Sequence, residues 1–366
     1  MERFILVNIV PPKADKEEAE KDLAELMSLV TTFGGATVVK VLQRRDDPDR
    51  DTFVGSGKAD EIKELIKSEK ISAVVLNAVV KPTQKYNLQR IITETKEDVA
   101  VWDRVDLILH IFSKHANTAE AKLQIDLAQM RHMGPRMFGL GNVLSRQGGG
   151  IGTRGIGETN TELMKRHWQR EIKQTEDKLK KLTNEREKQL NRRKELGLKT
   201  VSIVGYTNAG KTSLFNILAK KQKLVENALF ATLDSAVGQL YLPGLQSSIL
   251  ISDTIGFIQN LPPQLIDAFK STLMESVNAD VLLHVIDITD EKMEEKIKAV
   301  EDILTDLGLA DKKKLYVFNK MDIATTQNSV DIRHAHSQFS PLFISTQSRS
   351  GIPDLIAKIE QVVEFM

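Results

Sequence analysis

No cysteine occurs in the chain, which rules out a disulfide framework and a thiolate metal centre and makes a reducing cytoplasm the natural compartment. Long apolar runs are missing too. The N-terminal FILVNIV is seven residues long, follows Glu2 and Arg3 and ends at Pro11-Pro12. That suits a first β-strand and falls well short of the roughly 18 residues of a membrane segment. A charge of one sign is also lacking: 51 Lys and Arg face 50 Asp and Glu for a net +1. The chain is therefore not globally basic, and any surface for a polyanion has to be local.

What is present is a soluble globular composition, 41% hydrophobic and 28% charged over 366 residues, enough for two or three domains with their own cores. Residues 1–112 alternate short β-branched runs (FILVNIV, ATVVKVLQ, SAVVLNA, VAVWDR) with amphipathic stretches, the rhythm of a small α/β domain with a mostly parallel sheet. Over 113–198 the strand signal disappears. A helix near Ala119 to Met133 carries Leu123, Leu127 and Met130 at helical spacing, and a long helix is expected from about Asn160 to Glu195. Between Thr161 and Leu198 lie 12 Lys and Arg against 7 Asp and Glu, with a thin apolar stripe at Ile172, Leu179, Leu182 and Leu190. Such a stripe packs along one partner helix and fills no core, so an antiparallel, coiled-coil-like hairpin with the 119–133 helix follows. From 199 to 366 the alternation resumes (KTVSIVGY, SSILISDT, ADVLLHVIDI, KLYVFNKMD, PLFIST), with helices from Lys211, near Gln264–Val277, near Glu291–Leu307 and from Ile352. That is the pattern of a doubly wound α/β domain.

The hairpin's connection, SRQGGGIGTRGIGET, contains Gly150, Gly152 and Gly155 in the dinucleotide pattern G-x-G-x-x-G. The pattern carries meaning only when a buried strand runs into it, and no strand enters here. Its job has to be inferred from elsewhere in the chain.

The strand TVSIVGY, in contrast, empties into GYTNAGKT, and the helix KTSLFNILAK leaves it, so G-x-x-x-x-G-K-[ST] sits in its required setting. Around Gly205, Tyr206, Thr207, Asn208, Ala209, Gly210, Lys211, Thr212 and Ser213, the amides from Asn208 through Thr212 are expected to form an anion nest. Lys211 would reach the β- and γ-phosphates, and the Thr212 hydroxyl would bind Mg²⁺. Asp322, in Asn319-Lys320-Met321-Asp322, supplies a carboxylate for guanine N1–H and the N2 amine. Adenine offers no such donor pair, and a carboxylate left unpaired on burial costs several kcal/mol, on the order of a thousandfold. GTP is the expected nucleotide. Ile344-Ser345-Thr346 fits the loop whose amide reads guanine O6. In Asp253-Thr254-Ile255-Gly256, Asp253 would hold Mg²⁺ through water and the Gly256 amide would meet the γ-phosphate. Upstream lies Phe230-Ala231-Thr232-Leu233-Asp234, with Thr232 the candidate for a further Mg²⁺ ligand. Lys211, Thr232 and Gly256 are the candidate catalytic set.

Phe257 stands where Ras-like enzymes carry the glutamine that orients the attacking water. Slow intrinsic hydrolysis, accelerated by a partner, is the expected behaviour. Asn208 is the second mechanistic feature, since in GTPases with this asparagine it can help bind K⁺, which plays the part of an arginine finger.

With these residues in place the chain resembles the HflX family of ribosome-associated GTPases, within the Obg–HflX group. The resemblance covers nearly the whole chain and rests on GYTNAGKTS, FATLD, DTIGF and NKMD, on FVGSGKADEI (Phe53 to Ile62), and most specifically on LSRQGGGIGTRGIGET (Leu144 to Thr159). It implies an N-terminal α/β domain, a helical hairpin bridged by the glycine-rich loop, and a Ras-like GTPase domain. It also implies GTP-controlled binding to the large ribosomal subunit, with the N-terminal part reaching ribosomal RNA, in splitting, rescue or biogenesis. Arg146 and Arg154, on a loop poor in side chains, could approach a phosphate backbone closely. Two other readings of that loop stand beside the RNA-facing tip: glycines that merely let the chain cross the hairpin, and a second nucleotide site. Gly55-Ser56-Gly57-Lys58 shares the ambiguity, being a Gly-Lys turn without the full phosphate-loop spacing. Many family members carry a further C-terminal domain, and here the chain stops after the Ile352–Phe365 helix, which takes contacts through such a domain out of the expectation. A GTP-switched signalling or scaffold protein that binds a protein partner is the alternative function. A monomer is the default, since no dedicated dimer element is visible.

Overall fold

The computed structural model describes residues 1–94, 98–147, 156–221, 229–230, 236–258, 273–324 and 332–365, with the backbone alone at 16, 18, 21, 135–147, 156–161 and 338. The chain divides into two compact units, Met1–Lys114 with Lys122–Lys180, and His115–Ala121 with Lys181–Met366.

The first unit is built on β1 (Glu2–Val10), β2 (Gly35–Arg44), β3 (Ala73–Leu76) and β4 (Ala100–Asp103), all parallel, in the order β2-β1-β3-β4. In β1, Phe4, Ile5, Leu6 and Val7 are all fully buried. A strand covered on both faces reads as a continuous apolar run, which is why FILVNIV shows no alternation. The crossovers are α1 (Lys16–Phe33), α2 (Ser56–Ser68) and α3 (Pro82–Thr93). Their buried positions, such as Ala59, Ile62 and Ile66 of α2, face the apolar core that Ile5, Val7 and Val74 also join. The GSGK turn caps α2: Gly55 N–H donates to Gln43 Oε1 at 3.0 Å, and Lys58 pairs with Glu61 at 2.6 Å.

α4 (Arg104–His115) starts with a reciprocal cap, the Asp106 amide donating to Asp103 Oδ1 at 2.9 Å and the Asp103 amide to Asp106 Oδ2 at 2.8 Å. Lys85 Nζ lies 2.5 Å from Asp106 Oδ2, and His132 Nε2 lies 3.4 and 3.3 Å from the two carboxylates. This is the one group with metal-ligand spacing among the described residues. The capping bonds and Lys85 account for the carboxylates as a helix-start ion cluster.

Two long helices follow, α5 (Ala119–Gln147) and α6 (Ile156–Glu195), both longer than the sequence periodicity predicts. In the first unit Trp168 Nε1 donates to Met130 O at 3.1 Å and Arg131 pairs with Glu176 at 2.8 Å. The apolar stripe of α6 is thin, as expected: Leu190 is buried, whereas Ile172, Leu179 and Leu182 are half-buried. Helix, and not strand, leads to Gln147, so the glycine-rich loop lacks the strand that a dinucleotide fingerprint requires. Arg154 and the side chain of Arg146 lie outside the described residues.

The second unit carries a six-stranded sheet of β5 (Thr200–Gly205), β6 (Ala236–Leu242), β7 (Ser247–Asp253), β8 (Val281–Asp287), β9 (Lys313–Asn319) and β10 (Leu342–Phe343), in the order β10-β9-β8-β5-β7-β6. All neighbours are parallel except β6, which runs antiparallel to β7. Its helices are α7 (Lys211–Leu218), α8 (Met274–Asn278), α9 (Met293–Asp306) and α10 (Ile352–Glu364). Ile203, Phe215, Leu283, Val317 and Leu355 are fully buried between sheet and helices. The chain goes from β5 to β7 on one side and then to β8 on the other, so strand order reverses at β5. Ligands of such sheets sit beyond the carboxyl ends of the strands at that reversal, which is where β5 delivers GYTNAGKT. β6 is absent from the sequence reading although Gly238, Leu240 and Leu242 alternate as buried with exposed Gln239 and Tyr241. Pro243-Gly244 then closes the hairpin, a turn signal that could have marked it.

Candidate nucleotide-binding site

β5 ends at Gly205, and α7 begins at Lys211. Between them Asn208 has φ 64° and Gly210 φ 94°, an alternation of the kind that makes anion-binding concavities. A Cβ on Gly210 would stand 2.2 Å from Asn319 Nδ2, so the position needs glycine for space as well as for φ. The N-terminus of α7 adds its dipole at the same place. Lys211 is buried, its ammonium donating to Tyr206 O at 2.7 Å, and burial pulls its pKa down to about 8 against the opposing field of Asp253. Of the amides expected in the nest, that of Ala209 closes on Tyr206 O at 3.4 Å.

At the end of β7, Asp253 is fully buried and accepts a hydrogen bond from Thr212 Oγ1 at 2.9 Å, which brings two oxygen donors together beside the phosphate loop. Thr254 is equally buried, but its hydroxyl donates to Ile203 O at 2.7 Å and is spent on holding the strands together. Gly256 lies against the phosphate loop: a Cβ there would come 2.7 Å from Thr207 Cγ2, 2.9 Å from Thr207 Cα and 3.0 Å from Lys211 Nζ. Of the upstream motif, Phe230 is buried with φ 58°, whereas Ala231, Thr232, Leu233 and Asp234 lie outside the described residues.

Phe257 plays a part that the sequence does not announce. Its amide donates to Gly205 O at 3.1 Å and its carbonyl accepts from the Thr207 amide at 2.8 Å, an isolated parallel bridge between the two loops. Its ring is 1% exposed. The residue in the place of the water-orienting glutamine is thus a core anchor.

The segments expected to read the base converge on the same edge. Asn319, fully buried at the end of β9, donates from Nδ2 to Ala209 O at 2.9 Å and accepts at Oδ1 from the Thr346 amide at 3.1 Å. Ser345 Oγ donates to Asp322 Oδ1 at 2.5 Å, and the Met321 amide donates to Ile344 O at 3.1 Å. Lys320, at φ 70°, pairs with Asp287 Oδ2 at 2.6 Å. NKMD and Ile344-Ser345-Thr346 therefore form one hydrogen-bonded unit. Asp322 itself is exposed, so the desolvation on which base discrimination depends has to be supplied by the bound base. Asp287 and the Ala209 carbonyl belong to this unit and could not be found by motif spacing, since neither lies in a motif position with a side-chain role.

The comparisons with known proteins agree with this geometry. Family models described as GTP-binding GTPase N-terminal, GTP-binding GTPase Middle Region and 50S ribosome-binding GTPase match residues 20–113, 115–193 and 200–320. The GTPase HflX of Caldanaerobacter subterraneus subsp. tengcongensis is 41% identical over 360 residues, covering 98% of this chain and 80% of that protein. The GTPase HflX of Escherichia coli K12 is 36% identical over 360 residues, covering 98% and 82%. Among solved structures, the SsGBP–GDP complex superposes with a TM-score of 0.55 at 26% identity over 100% of this chain and 99% of that one. A GTP-binding protein from Sulfolobus solfataricus in complex with GDP superposes with a TM-score of 0.50, also at 26% identity, over 100% and 99%. With the phosphate loop, NKMD and Ile344-Ser345-Thr346 assembled on one sheet edge, and with relatives matching along almost its whole length, the chain belongs to the HflX family of GTPases.

Proposed function

We propose that this GTPase associates with the large ribosomal subunit and that GTP controls the association. The observation that carries the reading is α6: Lys165, Arg166, Arg170, Lys173, Lys178, Lys180, Lys181 and Lys188 are all exposed on one helix of an otherwise charge-balanced chain. Lysines and arginines concentrated on one element give sequence-independent attraction to a phosphate backbone. The family description of 50S ribosome-binding GTPase over 200–320 is consistent with that partner.

At the nucleotide, the amides at the start of α7 and Lys211 hold the phosphates, Asp322 and the Ser345–Thr346 loop read the guanine, and Gly256 presents its amide to the terminal phosphate. Mg²⁺ fits the all-oxygen pair of Thr212 Oγ1 and Asp253, which stand 2.9 Å apart. Bound there, it would neutralise charge on the phosphate oxygens. Thr232 is the proposed further ligand, and Asn208 the proposed contributor to a K⁺ site. Because Phe257 is packed into the core, no side chain at that position orients water. Intrinsic hydrolysis is slow and a bound partner completes the site.

Cosedimentation of the purified chain with large subunits, in a non-hydrolysable GTP analogue and in GDP, tests the reading. Binding that depends on the analogue and weakens steeply with salt is expected. Absence of binding in both states would turn the assignment to a GTP-switched protein that recognises a protein partner.

A further inference from the structure

The lower part of α6 grips a short helix of the GTPase unit through buried charge. Glu275, on α8, is 7% exposed. Its Oε1 lies 3.5 Å from Arg186 Nη2 and its Oε2 lies 3.2 Å from Arg193 Nη1, both guanidiniums coming from α6. Arg186 also pairs with Glu120 Oε2 at 3.1 Å, and Lys194 Nζ donates to Asn278 Oδ1 at 2.9 Å. A five-residue helix is thus held at both ends by side chains of α6. Glu120, Glu185, Glu275, Arg186 and Arg193 line a cavity of about 340 Å³, which Val237 of β6 also lines. Buried pairs of this kind add little net stability over an apolar substitute but fix geometry, because removing one partner leaves the others uncompensated.

Three hydroxyls link the gripped helix to β5 and β7. Ser276, next to Glu275, is fully buried with its Oγ 2.9 Å from Ser202 Oγ of β5, and Ser202 Oγ accepts from Ser252 Oγ of β7 at 3.0 Å. Ser252 immediately precedes Asp253, and Ser202 lies on the strand that delivers the phosphate loop. α8 is also the first described element after the Asp253–Ile258 stretch.

We infer that Glu275 is a positioning residue for GTP hydrolysis, clamped by Arg186 and Arg193, so that the placement of the α6 base sets the placement of Asp253 and Gly256. The inference rests on the GTPase activity alone and stands or falls independently of the ribosomal partner.

The test uses the full chain without ribosomes: single-turnover GTP hydrolysis and equilibrium binding of GTP and GDP for Glu275→Gln, Arg193→Ala and their double variant. Each single change is expected to lower the hydrolysis rate about tenfold with nucleotide affinities within about twofold of the parent, and the double variant to be no slower than the slower single one. Arg193→Lys should recover part of the rate, and Glu187→Gln, an exposed neighbour on α6, should leave it unchanged. If Glu275→Gln does not fold, Arg193→Ala decides by the same criteria, its side chain being 27% exposed. Parental rates in the single variants, or rate and affinity falling in step with additive effects in the double variant, would overturn the inference.

Discussion

The side-chain Nδ2 of Asn319 donates at 2.9 Å to the carbonyl of Ala209, tying the end of β9 to the floor of the phosphate loop. Asn319→Ala removes this bond and the one from the Thr346 amide, leaving two polar groups to find water. At about 1 kcal/mol or more for each group, nucleotide affinity is expected to fall roughly thirtyfold, and equally for GTP and GDP, because the tie lies away from the terminal phosphate. Fluorescence titration with both nucleotides checks this; a selective loss of GTP would contradict it.

Asp322, the proposed reader of the base, accepts from Ser345 Oγ at 2.5 Å. Asp322→Asn turns an acceptor into a group that can also donate, which suits the carbonyl that xanthine carries in place of the guanine amine. Affinity for GTP should drop on the order of a thousandfold while xanthosine triphosphate gains. Ser345→Ala, which frees the carboxylate and removes the acceptor that Ser345 Oγ offers the Ser348 amide at 3.0 Å, should cost about tenfold. Competition binding with the two triphosphates separates these outcomes.

Gly256→Ala would drive a Cβ to 2.9 Å from Thr207 Cα, a backbone atom that cannot step aside. The loop has to retreat from Lys211. Hydrolysis should fall by about a hundredfold or more, as for loss of a positioned backbone donor, while GDP binding changes little. Burst experiments at saturating GTP measure it, and an unchanged rate would remove Gly256 from the site.

Lys211 gives the nucleotide affinity a pH dependence of definite sign. Burial lowers its pKa to about 8 from 10.5. Above that value the side chain is neutral in the free protein, and binding a triphosphate has to restore its proton. Affinity should therefore weaken by up to about tenfold per pH unit above 8, with proton uptake on binding. Over the same window the unfolded chain holds the proton and the folded chain does not, so this group alone raises the stability of the nucleotide-free protein as pH rises. Calorimetry in two buffers of different ionisation heat reads the proton uptake directly.

His284 and Glu301 predict acid sensitivity. The His284 ring, 1% exposed, has its pKa lowered by burial despite its contact to Glu301 Oε1 at 3.1 Å. As pH falls below the ordinary 6.5, the unfolded chain takes a proton that the folded one resists, and stability drops. Burial raises the Glu301 pKa, but the bonds from His284 and Lys314 outweigh it and hold the group at about 2 against an ordinary 4.5. Its contribution is complete above 4.5 and lost between 4.5 and 2. Thermal melts across this range should show decline in two stages, and His284→Gln should flatten the first.

The fold was legible where physics leaves few choices. GYTNAGKT follows a buried run and precedes a helical one, and both the sheet and the site assemble there. FILVNIV could be read as a parallel strand because both its faces are covered. β6 escaped because the apolar Tyr241 between Leu240 and Leu242 hides in the letters the alternation that burial shows. Phe257 escaped for a different reason: its contribution is made by main-chain groups, which every residue carries. The Glu275–Arg193 pair, 82 residues apart, has no local signature at all.

The Phe257 bridge makes the start of the phosphate loop and the Thr254–Phe257 stretch after β7 one cooperative unit. Neither can swing away without breaking two backbone hydrogen bonds and hydrating a phenyl ring. The amide protons of Thr207 and Phe257 should therefore exchange with solvent deuterium together, by a shared opening event. Gly256, one residue before the bridge, is held against the phosphate loop by it.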